Sequence, residues 1–74
     1  MKARELFRVL HRRPLEYKQL RRTGSHILLR SENGYKDFIF AFHDSQTIPP
    51  RMVKKILTED VGLSVKEAVE LLNS

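Results

Sequence analysis

Ala3, Leu6, Phe7 and Leu10 fall at i, i+3, i+4 and i+7, the apolar stripe that one face of an α-helix presents. Proline disfavours helical geometry in the residue before it, so Pro14 closes this helix, which the pattern places at about residues 2–12. Residues 15–22, LEYKQLRR, read as a weaker strand: Leu15 and Tyr17 are out of phase with Leu20, and a β-bulge would reconcile them. Residues 25–31 and 36–43 are stronger strands, joined by Glu-Asn-Gly-Tyr. Asn-Gly is the preferred centre of a two-residue type I′ hairpin, because both central positions need positive φ.

That turn fixes a register. If Asn33 and Gly34 are the loop, paired residue numbers sum to 67, so Ser31 faces Lys36, Arg30 faces Asp37 and His26 faces Ala41. Side chains alternate across a sheet, which puts Ile27, Leu29, Phe38, Phe40 and Phe42 on one face. His26, Leu28, Arg30, Asp37, Ile39, Ala41 and His43 fall on the other. The phenylalanine face is the core, and the second face is open. If the Thr23-Gly24 turn is also two residues long, Arg21 pairs with His26 on the open side.

Beyond a polar loop at residues 44–49, Pro50 opens a second helix with Val53, Ile56, Leu57 and Val61 as its stripe, and Gly62 is a natural stop. Ser64 with Glu67 reads as the capping box of a last helix bearing Val65, Ala68, Val69 and Leu72. The order α, β, β, β, α, α predicts an α+β fold, a three-stranded antiparallel sheet with helices on one face. Seventy-four residues make one domain, residues 1–74, with a thin core that buries roughly 60–65% of the unfolded surface.

Composition narrows the chemistry. There is no cysteine, so neither disulfides nor thiolate chemistry is available. The histidines and acids show no metal-ligand spacing, and no metal or other cofactor is expected. No apolar run approaches the ~20 residues that span a bilayer, and the N-terminus mixes charges into its apolar positions; a soluble, cytoplasmic protein without membrane partners is expected.

Lys and Arg number 14 against 9 Asp and Glu, a net charge of +5 that attracts a polyanion. The positive charge is front-loaded, with Lys18, Arg21, Arg22 and Arg30 in the strands, and Lys54 and Lys55 add to it in the second helix. Lys18, Arg22, Lys54 and Lys55 are candidate phosphate contacts.

If the polyanion that the charge favours is RNA and the chain cuts it without a metal, a base must take the ribose 2′-hydroxyl proton. Histidine is the residue type whose ordinary pKa, about 6.5, suits that task. Attack on the adjacent phosphate then leaves a 2′,3′-cyclic phosphate. His26 is the candidate base, with Arg21 and Arg30 on the same inferred face to offset phosphate charge. His43, further along that face, is the candidate acid for the leaving oxygen. His11 reads as a favourable charge at a helix C-terminus, and Ser25 as a turn residue rather than a nucleophile.

MKARELFRVL at the start, Gly24-Ser25-His26, FAFHDSQTIPPRMVKKIL across the third strand and second helix, and VGLSVKEAVELL at the end together resemble the HicA (YcfA-like) toxins. The resemblance implies a fold like that of double-stranded RNA-binding domains and an mRNA endoribonuclease, an mRNA interferase, of a type II toxin–antitoxin pair. It also implies His26 as the catalytic histidine, a single-stranded or messenger RNA substrate, a HicB-like antitoxin, and a higher-order toxin–antitoxin complex. Two other readings remain open on the residues alone: a non-catalytic RNA-binding module of double-stranded-RNA-binding shape, and a domain whose positive surface meets an acidic protein.

Overall fold

A computed structural model describes residues 1–74. It contains α1 (Ala3–His11), β1 (Tyr17–Thr23), β2 (His26–Ser31), β3 (Phe38–Phe40), α2 (Pro50–Lys55), a π-helical segment (Ile56–Val61) that continues α2, and α3 (Val65–Leu72). The strands form one antiparallel sheet in the order β1-β2-β3. The expected α+β architecture is therefore present.

Helix α1 buries Ala3, Leu6, Val9 and Leu10 and half-buries Phe7. Its start is pinned from outside: Ala3 N–H donates to Gln46 O at 2.8 Å, and Ile48 N–H to Met1 O at 2.7 Å. The loop before α2, polar in sequence, thus carries a fully buried Ile48 that anchors it to the N-terminus.

The β1–β2 turn differs from expectation. Its two loop residues are Gly24 and Ser25, so Thr23 opposes His26 and Arg21 opposes Leu28, two residues along β2 from the expected partner His26 and on the same face. The reason is conformational: a type II′ turn takes positive φ at its first central position alone, and Gly24 has φ of 60° while Ser25 does not. The register slips between Gln19 and Arg21, which places the β1 bulge at Leu20.

Between β2 and β3 the expected register holds, with Ile27, Leu28 and Leu29 opposite Phe40, Ile39 and Phe38. The strand is shorter than expected, and the pairs Ser31–Lys36 and His26–Ala41 lie outside the ladder. Nor is the turn type I′, since Gly34 has positive φ (86°) but Asn33 does not. Asn33 instead donates through Nδ2 to Pro14 O at 2.7 Å and to the Glu16 carboxylate, and its N–H donates to Ser31 Oγ at 3.0 Å. These bonds draw the loop toward the α1–β1 connection and widen it.

The phenylalanine face is the core: Ile27, Leu29, Phe38 and Phe40 pack with Tyr17, the helical residues Val53, Ile56, Leu57 and Val61, and Ala68 and Leu71 of α3. Phe7 of α1 meets Phe40 with ring centroids 5.4 Å apart, so α1 lies beneath edge strand β3. Gly62 ends the π-helical segment at φ 97°, and Ser64 and Glu67 form the expected capping box. In α3 the buried residues are Ala68 and Leu71, whereas Val65 and Val69 are about half exposed.

Candidate nucleic-acid interface and active site

His26 opens β2 directly after the Gly24-Ser25 turn, and strand alternation turns it away from the core. The same face carries Leu28 and Arg30 of β2, with Thr23, Arg21 and Lys18 opposite them on β1. Ile39 of β3 faces Leu28 from the other side. Arg21, Thr23, His26, Leu28 and Ile39 line a shallow depression of about 80 Å³. A roomier cavity, about 420 Å³, lies between the Pro14 turn, Tyr35 and α3, contains no histidine, and includes Glu67, whose carboxylate already caps α3.

The cations on this face differ in their commitments. Lys18 Nζ pairs with Glu32 at 2.7 Å, and the hydrogen bond and charge of that carboxylate hold the ammonium pKa above its ordinary value. Arg30 Nε lies 3.5 Å from Asp37, the cross-strand pair expected from the register. Both pairs are exposed, and such pairs contribute only ~0–1 kcal/mol, so a phosphate competes with the carboxylates at little cost. Arg21 has no ion-pair partner and shares the depression with His26. It is the cation best placed to meet a phosphate there.

The remaining candidates are dispersed. Arg22 opposes Ile27, which points its side chain off the His26 face, and its Nε donates to Gly24 O at 3.0 Å, bracing the turn. Lys54 and Lys55 are exposed in the last turn of α2, within the helical layer. His43 lies in the loop after β3, outside the depression, with its N–H donating to Gln46 Oε1 at 3.3 Å. His11 places Nδ1 2.9 Å from Phe7 O in the last turn of α1. No group of three or more His, Asp or Glu is arranged to hold a metal ion.

Leu28 and Ile39 lie on the open face as expected, and one lining residue, Thr23, escapes the sequence reading. Gly-Ser was the available signal for Thr23, because Gly followed by another residue is the type II′ dipeptide and places Thr23 opposite His26. Ile39 is 59% exposed, and its alternation with Phe38 and Phe40 already turns it outward.

The fold and this face define a small α+β domain with a cationic sheet surface centred on one histidine. Residues 3–63 match the family described as HicA toxin of bacterial toxin-antitoxin. The chain belongs to that family, which makes it the toxin of a toxin–antitoxin pair and implies an antitoxin partner. No curated relative and no solved structure matches it. No helix is long and apolar enough to cross a membrane.

Proposed function

We propose that the protein is an mRNA endoribonuclease whose base is His26, acting on unpaired RNA in the cytoplasm and restrained by a HicB-like antitoxin. The observation that carries this reading is the shared depression of His26 and the unpaired Arg21 on an open sheet face. His26 takes the proton from a ribose 2′-hydroxyl, and the 2′ oxygen bonds to the adjacent phosphorus. The bond from phosphorus to the 5′ oxygen breaks, and that oxygen takes up a proton, leaving a 2′,3′-cyclic phosphate and a 5′-hydroxyl. Arg21 offsets the charge that builds on the phosphate oxygens. Arg30 adds to it after leaving Asp37. His43 lies outside the depression, so water at the open rim supplies the leaving-oxygen proton. A base and a cation suffice for these steps, and the reading uses no metal.

The antitoxin, in this reading, covers the cationic face around His26, within a larger toxin–antitoxin complex. The test of the activity is expression of wild type and His26→Ala from a tight inducible promoter, with transcript 5′ ends mapped minutes after induction. His26 is exposed, so its replacement leaves the fold intact. New ends with wild type and none with the variant are expected. Equal cutting by both, or no new ends from stable wild-type protein, would remove the reading; salt-sensitive RNA binding without cutting would identify a non-catalytic RNA-binding module.

A further inference from the structure

Helix α1 carries a cationic ladder that its own stability does not explain. Arg4 and Arg8 are exposed and four residues apart, whereas Arg12, next in the row, is engaged at the end of α3, donating to Leu71 O and Ser74 Oγ at 3.4 Å. Like charges at this spacing repel. Lys2 and Arg4 also sit at the N-terminal end of the helix, where the macrodipole disfavours cations. The nearest acid in the helix, Glu5, is occupied in accepting the Lys2 N–H at 3.0 Å. The two ion pairs of the fold, Lys18–Glu32 and Arg30–Asp37, both lie elsewhere. An exposed Arg4–Arg8 pair at like-charge spacing, without an ion-pair partner, has the character of an anion-binding surface.

Its position relates it to the depression. Phe7 packs on Phe40, so α1 runs beneath β3, the strand whose outward Ile39 lines the His26 depression. The N-terminal end of α1 is tied to the loop that carries His43, through Arg4 N–H to Asp44 O at 3.3 Å and Lys2 Nζ to Ser45 O at 3.1 Å. The molecule is 19 Å across its shortest dimension. Arg21 and Arg30 on the sheet face and Arg4 and Arg8 on α1 thus lie on either side of the apolar β3 edge, with the exposed His43 in the loop that follows it.

We propose that Arg4 and Arg8 of α1 form a second RNA-binding surface, which holds the phosphate backbone of the strand leaving the His26 depression after it rounds the β3 edge. This rests on the ribonuclease reading and adds to it a path for the substrate. Helical spacing sets the two guanidinium groups about 6 Å apart along the axis, so that they meet separate phosphates of one strand. The contacts are to the backbone alone and carry no base specificity. His43, at the turning point, is a positioning residue on this path.

The test measures binding of fluorescently labelled single-stranded RNA to His26→Ala protein, with and without Arg4→Gln and Arg8→Gln together, across a salt series. Loss of two phosphate contacts lowers the magnitude of the log K against log[salt] slope by about 1.4, at roughly 0.7 per contact for single strands. A trinucleotide, too short to round the edge, binds both proteins equally. An unchanged slope with the long RNA would overturn the proposal, as would an equal loss with the trinucleotide. An unchanged slope with weakened antitoxin binding would reassign the ladder to a protein partner. Absence of cutting by otherwise wild-type protein would remove the nuclease reading separately, since binding is read here without cleavage.

Discussion

Tyr17→Phe tests how the open face is held in place. Tyr17 is 1% exposed, stands edge-on to Phe38 at 5.1 Å between centroids, and donates its hydroxyl to Lys36 O at 2.6 Å. It thereby ties the start of β1 to the widened loop that precedes β3. Phenylalanine keeps the ring and leaves a partly buried carbonyl unpaired, which costs about 1–2 kcal/mol at neutral pH. Burial, and then the negative charge of Asp37, push the phenol pKa from 10.0 to about 12. The folded state therefore holds this proton more tightly than the unfolded chain does. The resulting stability is complete below the unfolded pKa and is lost as pH rises through the folded one. Two pKa units correspond to about 2–3 kcal/mol. The wild-type advantage over Tyr17→Phe should shrink above pH 10 and reverse at about pH 11, where the accumulated loss exceeds the hydrogen bond. Urea unfolding of both proteins from pH 8 to 12 gives the two curves, and their difference in tyrosinate absorbance gives the Tyr17 titration. Stability curves that stay parallel over this range, or a Tyr17 titration at its ordinary value, would refute the reasoning.

Other consequences concern the site and its supports. Arg21→Gln should lower kcat on RNA by about 100- to 1000-fold, the usual cost of removing one donor from developing charge. Arg30→Gln, which removes a side chain already shared with Asp37, should cost less than about fivefold; equal losses would refute the distinction. Gly24→Ala meets no neighbouring atom but forces a side chain into φ of 60°, so it should destabilise the fold by at least ~1 kcal/mol and impair cutting by displacing Thr23 and His26. An unaffected variant would show that the turn does not set the site. Ser64→Ala removes the acceptor for Glu67 N–H at 3.1 Å and should lower Tm by about 4–8 °C. The backbone and side-chain hydrogen bonds of Ser64 hold the Glu67 pKa below its ordinary value. The contribution of the Glu67 carboxylate is present above the unfolded pKa and is lost as pH falls through the folded one; its backbone donor, Ser64 N–H, survives Ser64→Ala, so it is the Glu67→Gln melting temperature that should converge with wild type in acid.

Much of this architecture is legible because burial leaves a period in the sequence. The stripe Ala3, Leu6 and Leu10 marks α1, and the alternation of Phe38, Ile39 and Phe40 separates core from open face, which puts His26 outward. What periodicity cannot carry is where a turn begins. Thr23-Gly24 and Gly24-Ser25 are both plausible two-residue loops, and choosing between them moves Arg21 two residues along β2 and brings Thr23 to His26. Long-range bonds are equally invisible. Asn33 is drawn to Pro14 and Glu16 rather than into a type I′ turn, which removes the Ser31–Lys36 pair; at its other end β3 stops at Phe40, so His43 lies in a loop. Lys18 illustrates the same limit: its charge is plain in the sequence, but the bulge at Leu20 sets it opposite Arg30 and so on the His26 face.

Purified protein and a defined unpaired RNA in the presence of EDTA decide whether His26 acts as the base. Cutting by wild type is expected, with products ending in 2′,3′-cyclic phosphate and 5′-hydroxyl, and no cutting by a folded His26→Ala protein that still binds the RNA. Cutting that requires an added divalent ion, products with 5′-phosphates, or activity retained in His26→Ala would contradict it.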